Sequence, residues 1–261
     1  MADMEPSSLR FGSLLRRARD GRRLSQLDLA LECELSARHL SFLETGRAQP
    51  SREMVLRLAA GLMLPLGARN ALLQAAGFAA AFPASELDSA ALEPLRAALT
   101  EMMARHAPFP ALLCDRYWSV RDANASAVAL LGALNDGSGE VNIVRMLATS
   151  RAARTAIVNY PEVIEEMAAR VRLEALEAGD DPVLAELLTT VEAARRDHPA
   201  SSALPRRPLV PIMIATPAGT LSLLSMIAHF GTSEDVTVRD LRLELFLPAD
   251  DATRAAMGAF A

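Results

Sequence analysis

The chain has 261 residues, half of them hydrophobic and few aromatic, with a formal charge of −5 at pH 7. That balance excludes a disordered or fibrous chain and favours helix over an all-β sandwich. All 27 basic residues are arginine, which excludes Schiff-base chemistry and a P-loop lysine.

The charge is unevenly placed. Residues 1–77 hold eleven arginines against eight carboxylates, net +3, and the remainder holds sixteen against twenty-four, net −8. A basic head on an acidic body suits a nucleic-acid partner. Cys33 and Cys114 sit far apart on apolar faces and read as buried thiols of a reducing, cytoplasmic compartment. With four scattered histidines they assemble no metal site. The opening MADMEPSS has neither a basic n-region nor an apolar core, so no secretory signal is expected.

Pro6 to Ser8 open a first helix, with Leu9, Phe11, Leu14, Leu15 and Ala18 inward and the arginines on its other faces. The stretch Leu24 to Arg47, LSQLDLALECELSARHLSFLETGR, reads as two short helices with a tight elbow. Ser25 caps the first, and Ser36 caps the second, whose inward positions are Leu40 and Leu43. Such a pair is a helix-turn-helix. Ser51 caps a fourth helix with Met54, Val55, Leu58 and Leu62 inward, and a fifth ends at Gly77. Residues 1–78 therefore form a compact all-α domain. Residues 79–91 are a connector too apolar to be a floppy tether.

Residues 92–261 alternate helix and strand. The helix LEPLRAALTEMMARH stops before Pro108 and Pro110. Strand ALLCD, a turn at Asp115-Arg116 and strand YWSVRDAN follow, with Trp118 and Val120 on one face. ASAVALLGAL is a helix capped by Asn124 or Ser126, and VNIVRMLATSRAARTAI is another. Two longer helices come next, separated by a Gly179 stop and a cap at Asp180 or Asp181. Leu209 to Phe230 is 22 uncharged residues, the length of a membrane span. Pro211, Pro217 and Gly219 instead split it into the two strands of a hairpin. LRLELFL is a last strand, giving an α+β domain of three to five strands.

A helix-turn-helix places the first turn of its second helix in the major groove. That turn carries Ser36, Ala37, Arg38 and Ser41, with Phe42 at its edge. Arg38 has the paired donors for the O6 and N7 of a guanine. Gln26 can meet a phosphate at the start of the supporting helix. Arg47 follows the reading helix, where a backbone contact is expected.

The strings S-Q-x-D-L-A and S-A-R-H-L-S-F-L-E-T-G-R-x-x-P-S resemble the Xre-type, or Cro/CI-type, helix-turn-helix over residues 9–77. The resemblance implies a five-helix lambda-repressor-like fold. It also implies DNA contacts at Gln26, Ala37, Arg38, Ser41 and Arg47, with Leu29, Ala30, Leu40, Leu43 and Glu44 building the core and helix ends. The elbow departs from the family pattern, because Cys33-Glu34-Leu35 stands where glycine is common. A non-glycine residue there either adopts the left-handed conformation at some cost or uses a different turn.

RHLSFLETGRAQPSREMVLRLAAGL and PLGARNALLQAAGF narrow the resemblance to Xre regulators with a C-terminal MmyB-like domain. FPALLCDRYWSVRDANASAVALL and NIVRMLATSRAAR are similar to the first parts of that domain, over residues 92–250. LSLLSMIAHF departs from it near the end. The resemblance implies a PAS-like fold, and at least one member is associated with a fatty acid.

An apolar pocket on such a sheet would be lined by Leu112, Cys114, Trp118, Val128, Ile143, Met146, Met213 and Met226, and methionine suits an adaptable lining. An acidic ligand needs a cation, for which Arg116, Arg154, Arg207 and His229 are unranked candidates. GxSxG, HExxH, CxxC, GxGxxG and Walker A motifs are absent, so no enzyme and no cofactor are expected. The sequence thus points to a cytoplasmic, membrane-free homodimer that binds a palindromic double-stranded operator and answers to a small apolar ligand. The alternative is an antitoxin or adaptor that uses the helix-turn-helix without a small-molecule ligand.

Overall fold

The computed structural model describes residues 7–137, 139–178, 181–200, 209–231 and 233–258. The chain folds as two units, with the main boundary between Ala84 and Ser85.

The first unit is built on five helices: α1 (Ser7–Gly21), α2 (Gln26–Glu32), α3 (Ala37–Glu44), α4 (Arg52–Gly61) and α5 (Leu66–Ala75). Serine hydroxyls cap three of them. Ser25 accepts from the Asp28 N–H, Ser36 from His39 and Ser51 from Met54. At α2 the Asp28 carboxylate returns the bond to the Ser25 N–H, completing a capping box. Phe11, Leu15, Leu29, Leu40, Leu43, Leu58 and Leu73 are fully buried in one core. Each such side chain contributes about 1.5–3 kcal/mol relative to exposure.

Two expectations for α1 are corrected. Leu9 is 41 % exposed, and Arg19 is buried, because α3 offers it a carboxylate. Residues 78–84 are tied to the bundle. The Asn70 amide donates to the Phe82 carbonyl and accepts from the Ala81 and Phe82 N–H groups, while Phe78 and Ala81 pack on the core.

The second unit is a five-stranded antiparallel sheet in the order β2-β1-β5-β4-β3. Its strands are β1 (Ala111–Cys114), β2 (Val120–Ala123), β3 (Ile212–Thr216), β4 (Gly219–His229) and β5 (Arg242–Pro248). β3 and β4 are the hairpin made from the uncharged run, turning at Pro217-Ala218. Among the described residues no helix is long and apolar enough to cross a membrane.

The helices of this unit are α6 (Glu93–Arg105), α7 (Ala125–Leu134), α8 (Ile143–Thr149), α9 (Arg151–Ala156), α10 (Tyr160–Ala178), α11 (Pro182–Asp197), α12 (Val236–Asp240) and α13 (Asp251–Gly258). A one-turn 3-10 helix, Ala90–Leu92, leads into α6. Asn124, not Ser126, caps α7. The single helix expected over VNIVRMLATSRAARTAI is two, α8 and α9, broken at Ser150. The Ser150 hydroxyl donates to the Leu134 carbonyl at 2.6 Å and accepts from the Ala153 N–H at 3.2 Å, so it ends one helix and caps the next. Gly179 and Asp180 lie outside the described residues.

Register defines the two sheet faces. Leu112 lies opposite Glu244, and Glu244 opposite Ile227; Cys114 lies opposite Arg242, and Arg242 opposite His229. These share one face. Ala111 and Leu113 lie on the other with Leu243, packed against Leu99 and Met103 of α6.

Candidate nucleic-acid interface and ligand-binding face

α3 is held against α1 and α2 by one ionic network. The Glu44 carboxylate accepts from Arg19 through Nε at 2.6 Å and Nη2 at 3.0 Å, and from the Gln26 amide at 2.8 Å. Arg19 also donates to the Leu24 carbonyl at 2.7 Å. Hydrogen bonding to Glu44 raises the Arg19 guanidinium above its ordinary value, against the opposing cost of burial. α1 and α3 approach so closely at Gly12 that a Cβ there would lie 2.5 Å from the Glu44 carbonyl oxygen. Only glycine fits that crossing.

The elbow between α2 and α3 resolves the choice left by its sequence. Glu34 takes the left-handed conformation at φ 54°. The Leu35 N–H bonds the Ala30 carbonyl at 2.7 Å and the Glu34 N–H bonds that of Leu31 at 3.2 Å. This is a Schellman ending, with glutamate at the position where glycine is usual.

The network leaves the outward side of α3 to the predicted readers. Arg38 and Arg47 are exposed, and Ala37, Ser41 and Phe42 are half-buried. Exposed Ser36 uses its oxygen lone pair on the cap and keeps its hydroxyl proton as a donor. Gln26 gives one amide hydrogen to Glu44, and its NH2 carries a second. Sequence reasoning missed the stack of Arg38 on Phe42, whose ring centroid lies 5.3 Å from the guanidinium carbon. Their spacing of four on a helix was the available signal.

In the second unit the predicted lining residues do not share one place. Leu112, Cys114, Trp118, Ile143 and Met146 are buried, and the Ile143 N–H bonds the Trp118 carbonyl at 2.9 Å. Met226 lies opposite Leu245 and Met213 opposite Ser222, which puts both methionines on the sheet face opposite Leu112 and Cys114. Met226 is 48 % and Val128 59 % exposed, so neither lines an enclosed cavity. These three are corrections to the expected lining, and their cause is strand parity and helix phase.

Trp118 is not in a strand. It sits in the turn before β2 with φ 66°, and its N–H bonds the Asp115 carbonyl at 3.1 Å. The Asp115 carboxylate fixes that turn by accepting from the Tyr117 and Ser119 N–H groups. A bulky residue in this conformation is strained and is held by its surroundings. The guanidinium carbon of Arg242 lies 4.5 Å from a Trp118 ring centroid and that of Arg170 lies 5.6 Å away. Glu244, buried beside them in β5, accepts from the Ser225 hydroxyl. Burial raises its carboxyl above the ordinary range, opposed by the Ser225 bond and by the charges of Arg170 and Arg242. Burial likewise pushes the Cys114 thiol far up, so it stays protonated.

Of the cations suggested by sequence, Arg116 lies 3.8 Å from Asp240, Arg154 donates to the Thr149 carbonyl, and His229 is exposed at the end of β4. Arg207 lies outside the described residues. Among the described residues Arg242 is a buried cation on the Leu112–Cys114 face, and sequence reasoning missed it. Its signal was alternation in LRLELFL, which puts Arg242 and Glu244 on one face of the strand. A cleft of about 600 Å³ lies on the other side, lined by α6 residues including Arg96 and Thr100 with Leu113 and Arg121, and borders none of the predicted residues. Among the described residues no group of three or more His, Cys, Asp or Glu side chains is placed to hold a metal.

Residues 95–259 match the family model of the MmyB-like transcription regulator ligand binding domain. The chain belongs to the MmyB-like transcription regulators. Residues 10–72 of this MmyB-like regulator match a helix-turn-helix domain, which covers α2 and α3 and the ionic network between them. It is a DNA-binding regulator with a C-terminal ligand-binding domain. No curated protein matches the MmyB-like regulator significantly over its length.

Proposed function

We propose that this regulator acts in the cytoplasm as a homodimer on a palindromic operator, with α3 of each protomer in the major groove and a small apolar acid controlling occupancy. Arg38 reads a guanine, Ala37 and Ser41 approach neighbouring bases, and Gln26, Ser36 and Arg47 contact the backbone. The observation that carries this reading is the outward set of Arg38, Ser41 and Phe42 on α3, with the Arg19–Glu44–Gln26 network behind it.

The ligand lies on the sheet face of Leu112, Cys114 and Trp118, against Ile143 and Met146, and Arg242 meets its carboxylate. Support for this comes from the place of Arg242, a buried guanidinium on that face beside the Trp118 ring, where it can add a carboxylate to the partners it already has. Ligand binding can shift the dimer only by its difference in affinity for two arrangements.

Two measurements test the reading. Arg38→Ala should cut the ratio of operator to non-specific affinity by about 5- to 150-fold, the worth of a bidentate base contact, with thermal stability unchanged. An unchanged ratio would remove Arg38 as a base reader. Native mass spectrometry of the purified chain should find a dimer and a co-purifying apolar acid that Arg242→Met loses. A monomer, or an acid retained by the variant, would refute the corresponding part.

A further inference from the structure

Phe42 is a large apolar ring that the helical core does not take in. Leu40 and Leu43 of α3 are buried there and Ala37 packs against it, but Phe42 is not among the described side chains that do so. Its backbone is nevertheless fixed, because its carbonyl accepts from the Arg47 N–H at 2.8 Å and the Ala48 N–H at 3.2 Å. The ring instead carries the Arg38 guanidinium at 5.3 Å from its centroid.

This arrangement does two things at once. A cation held over a ring spends none of its N–H donors on a hydrogen-bond acceptor, so Arg38 is restrained by Phe42 with its paired donors still available to two acceptors side by side. The exposed remainder of the ring is an apolar surface on the helix face that the proposed reading turns toward DNA. In the major groove, the apolar group displayed by an unmodified base pair is the thymine 5-methyl. Residues four apart on a helix stand about 5–6 Å apart, so the two side chains reach base pairs one step apart, whose rise is about 3.4 Å.

We propose that Arg38 and Phe42 form one composite reader, in which the guanidinium takes the O6 and N7 of a guanine while the Phe42 ring covers the 5-methyl of a thymine one base step away. The proposal rests on α3 being the groove-reading helix. The chemistry recognised is a pyrimidine 5-methyl, supplied by thymine or by 5-methylcytosine. Phe42 is thus a specificity residue and also positions Arg38.

The test uses the full chain and duplexes recovered from a randomised, amplified DNA pool, in which thymine is the only methylated pyrimidine. Each guanine of the half-site is replaced in turn by 7-deazaguanine, which lacks the N7 acceptor, and each thymine by deoxyuridine, which lacks only the methyl. The wild-type chain should lose on the order of tenfold at one guanine, and Arg38→Ala should be blind to that change. It should lose roughly fourfold at one thymine beside that guanine, the worth of one buried methyl group, and Phe42→Ala should bind thymine and deoxyuridine alike. Cytosine placed there should restore binding when it is 5-methylated and not otherwise.

If deoxyuridine costs the wild-type chain nothing at any thymine, or Phe42→Ala keeps the methyl effect, the composite reader is overturned. If no guanine responds through Arg38, the underlying reading of Arg38 fails. The thymine series then still decides the role of Phe42.

Discussion

Glu44 divides its two carboxylate oxygens among three donors on two other helices, and its side chain is almost completely buried. Removing it takes away the buried carboxylate of Arg19 and leaves the guanidinium only Asp20 and the Leu24 carbonyl. Breaking a buried ion pair from one side costs about 3–5 kcal/mol, so Glu44→Ala should lower the denaturant midpoint by a corresponding amount and lower operator affinity with it. A loss below about 1 kcal/mol would mean that Arg19 swings out to solvent. Glu44 was legible as a helix-end residue through the family pattern, but Arg19 was not. An arginine on an amphipathic helix is assigned to the wet side by periodicity, and only the partner across the crossing at Gly12 reverses that.

All five helices of the first unit end in the same way, with a left-handed residue next to an N–H that reaches back to a carbonyl in the last turn. Gly46 and Gly77 do this with glycine, and Arg23, Glu34 and Met63 do it with side chains at φ 56°, 54° and 47°. A left-handed L-residue costs about 1–2 kcal/mol, part of which glycine gives back through its freer unfolded chain. Glu34→Gly should therefore stabilise the unit by roughly 0.5–1 kcal/mol, read as a higher melting temperature with DNA affinity unchanged. Destabilisation would show that the glutamate side chain supports the elbow. The glycine endings could be read in advance and the family pattern narrowed the elbow at Glu34 to two turns, whereas Arg23 and Met63 carry no local marker. The break at Ser150 was hidden for a similar reason, since the carbonyl it binds belongs to Leu134, sixteen residues earlier.

At the scale of the whole chain, two units, five helices in the first and a hairpin from the uncharged run were all visible in periodicity and turn residues. Strand order was not, because β5 enters between β1 and β4, and only hydrogen-bond register shows it. Leu99 and Met103 of α6 cover one face of β5 and Trp118 lies against Arg242 on the other, so Arg242 and Glu244 fall under cover instead of in water. Burial holds the folded Glu244 carboxyl above its unfolded value, so its contribution is complete at low pH and is lost as pH rises through the folded value. Glu244→Gln, which keeps an acceptor for Ser225, should flatten the fall in melting temperature above the ordinary carboxylate range. Parallel curves for variant and parent would assign that fall to another group.

Trp118 has a consequence of a different kind. It is the chain's only tryptophan, and the two tyrosines are Tyr117 and Tyr160, so every indole and phenol lies in the second unit. Emission excited at the red edge of aromatic absorbance therefore comes from a single ring, flanked by Arg242 and Arg170 on the proposed ligand face. The DNA-binding unit is optically silent in that band. One fluorophore, already in place, reports the state of one half of the molecule while the other half binds DNA unseen.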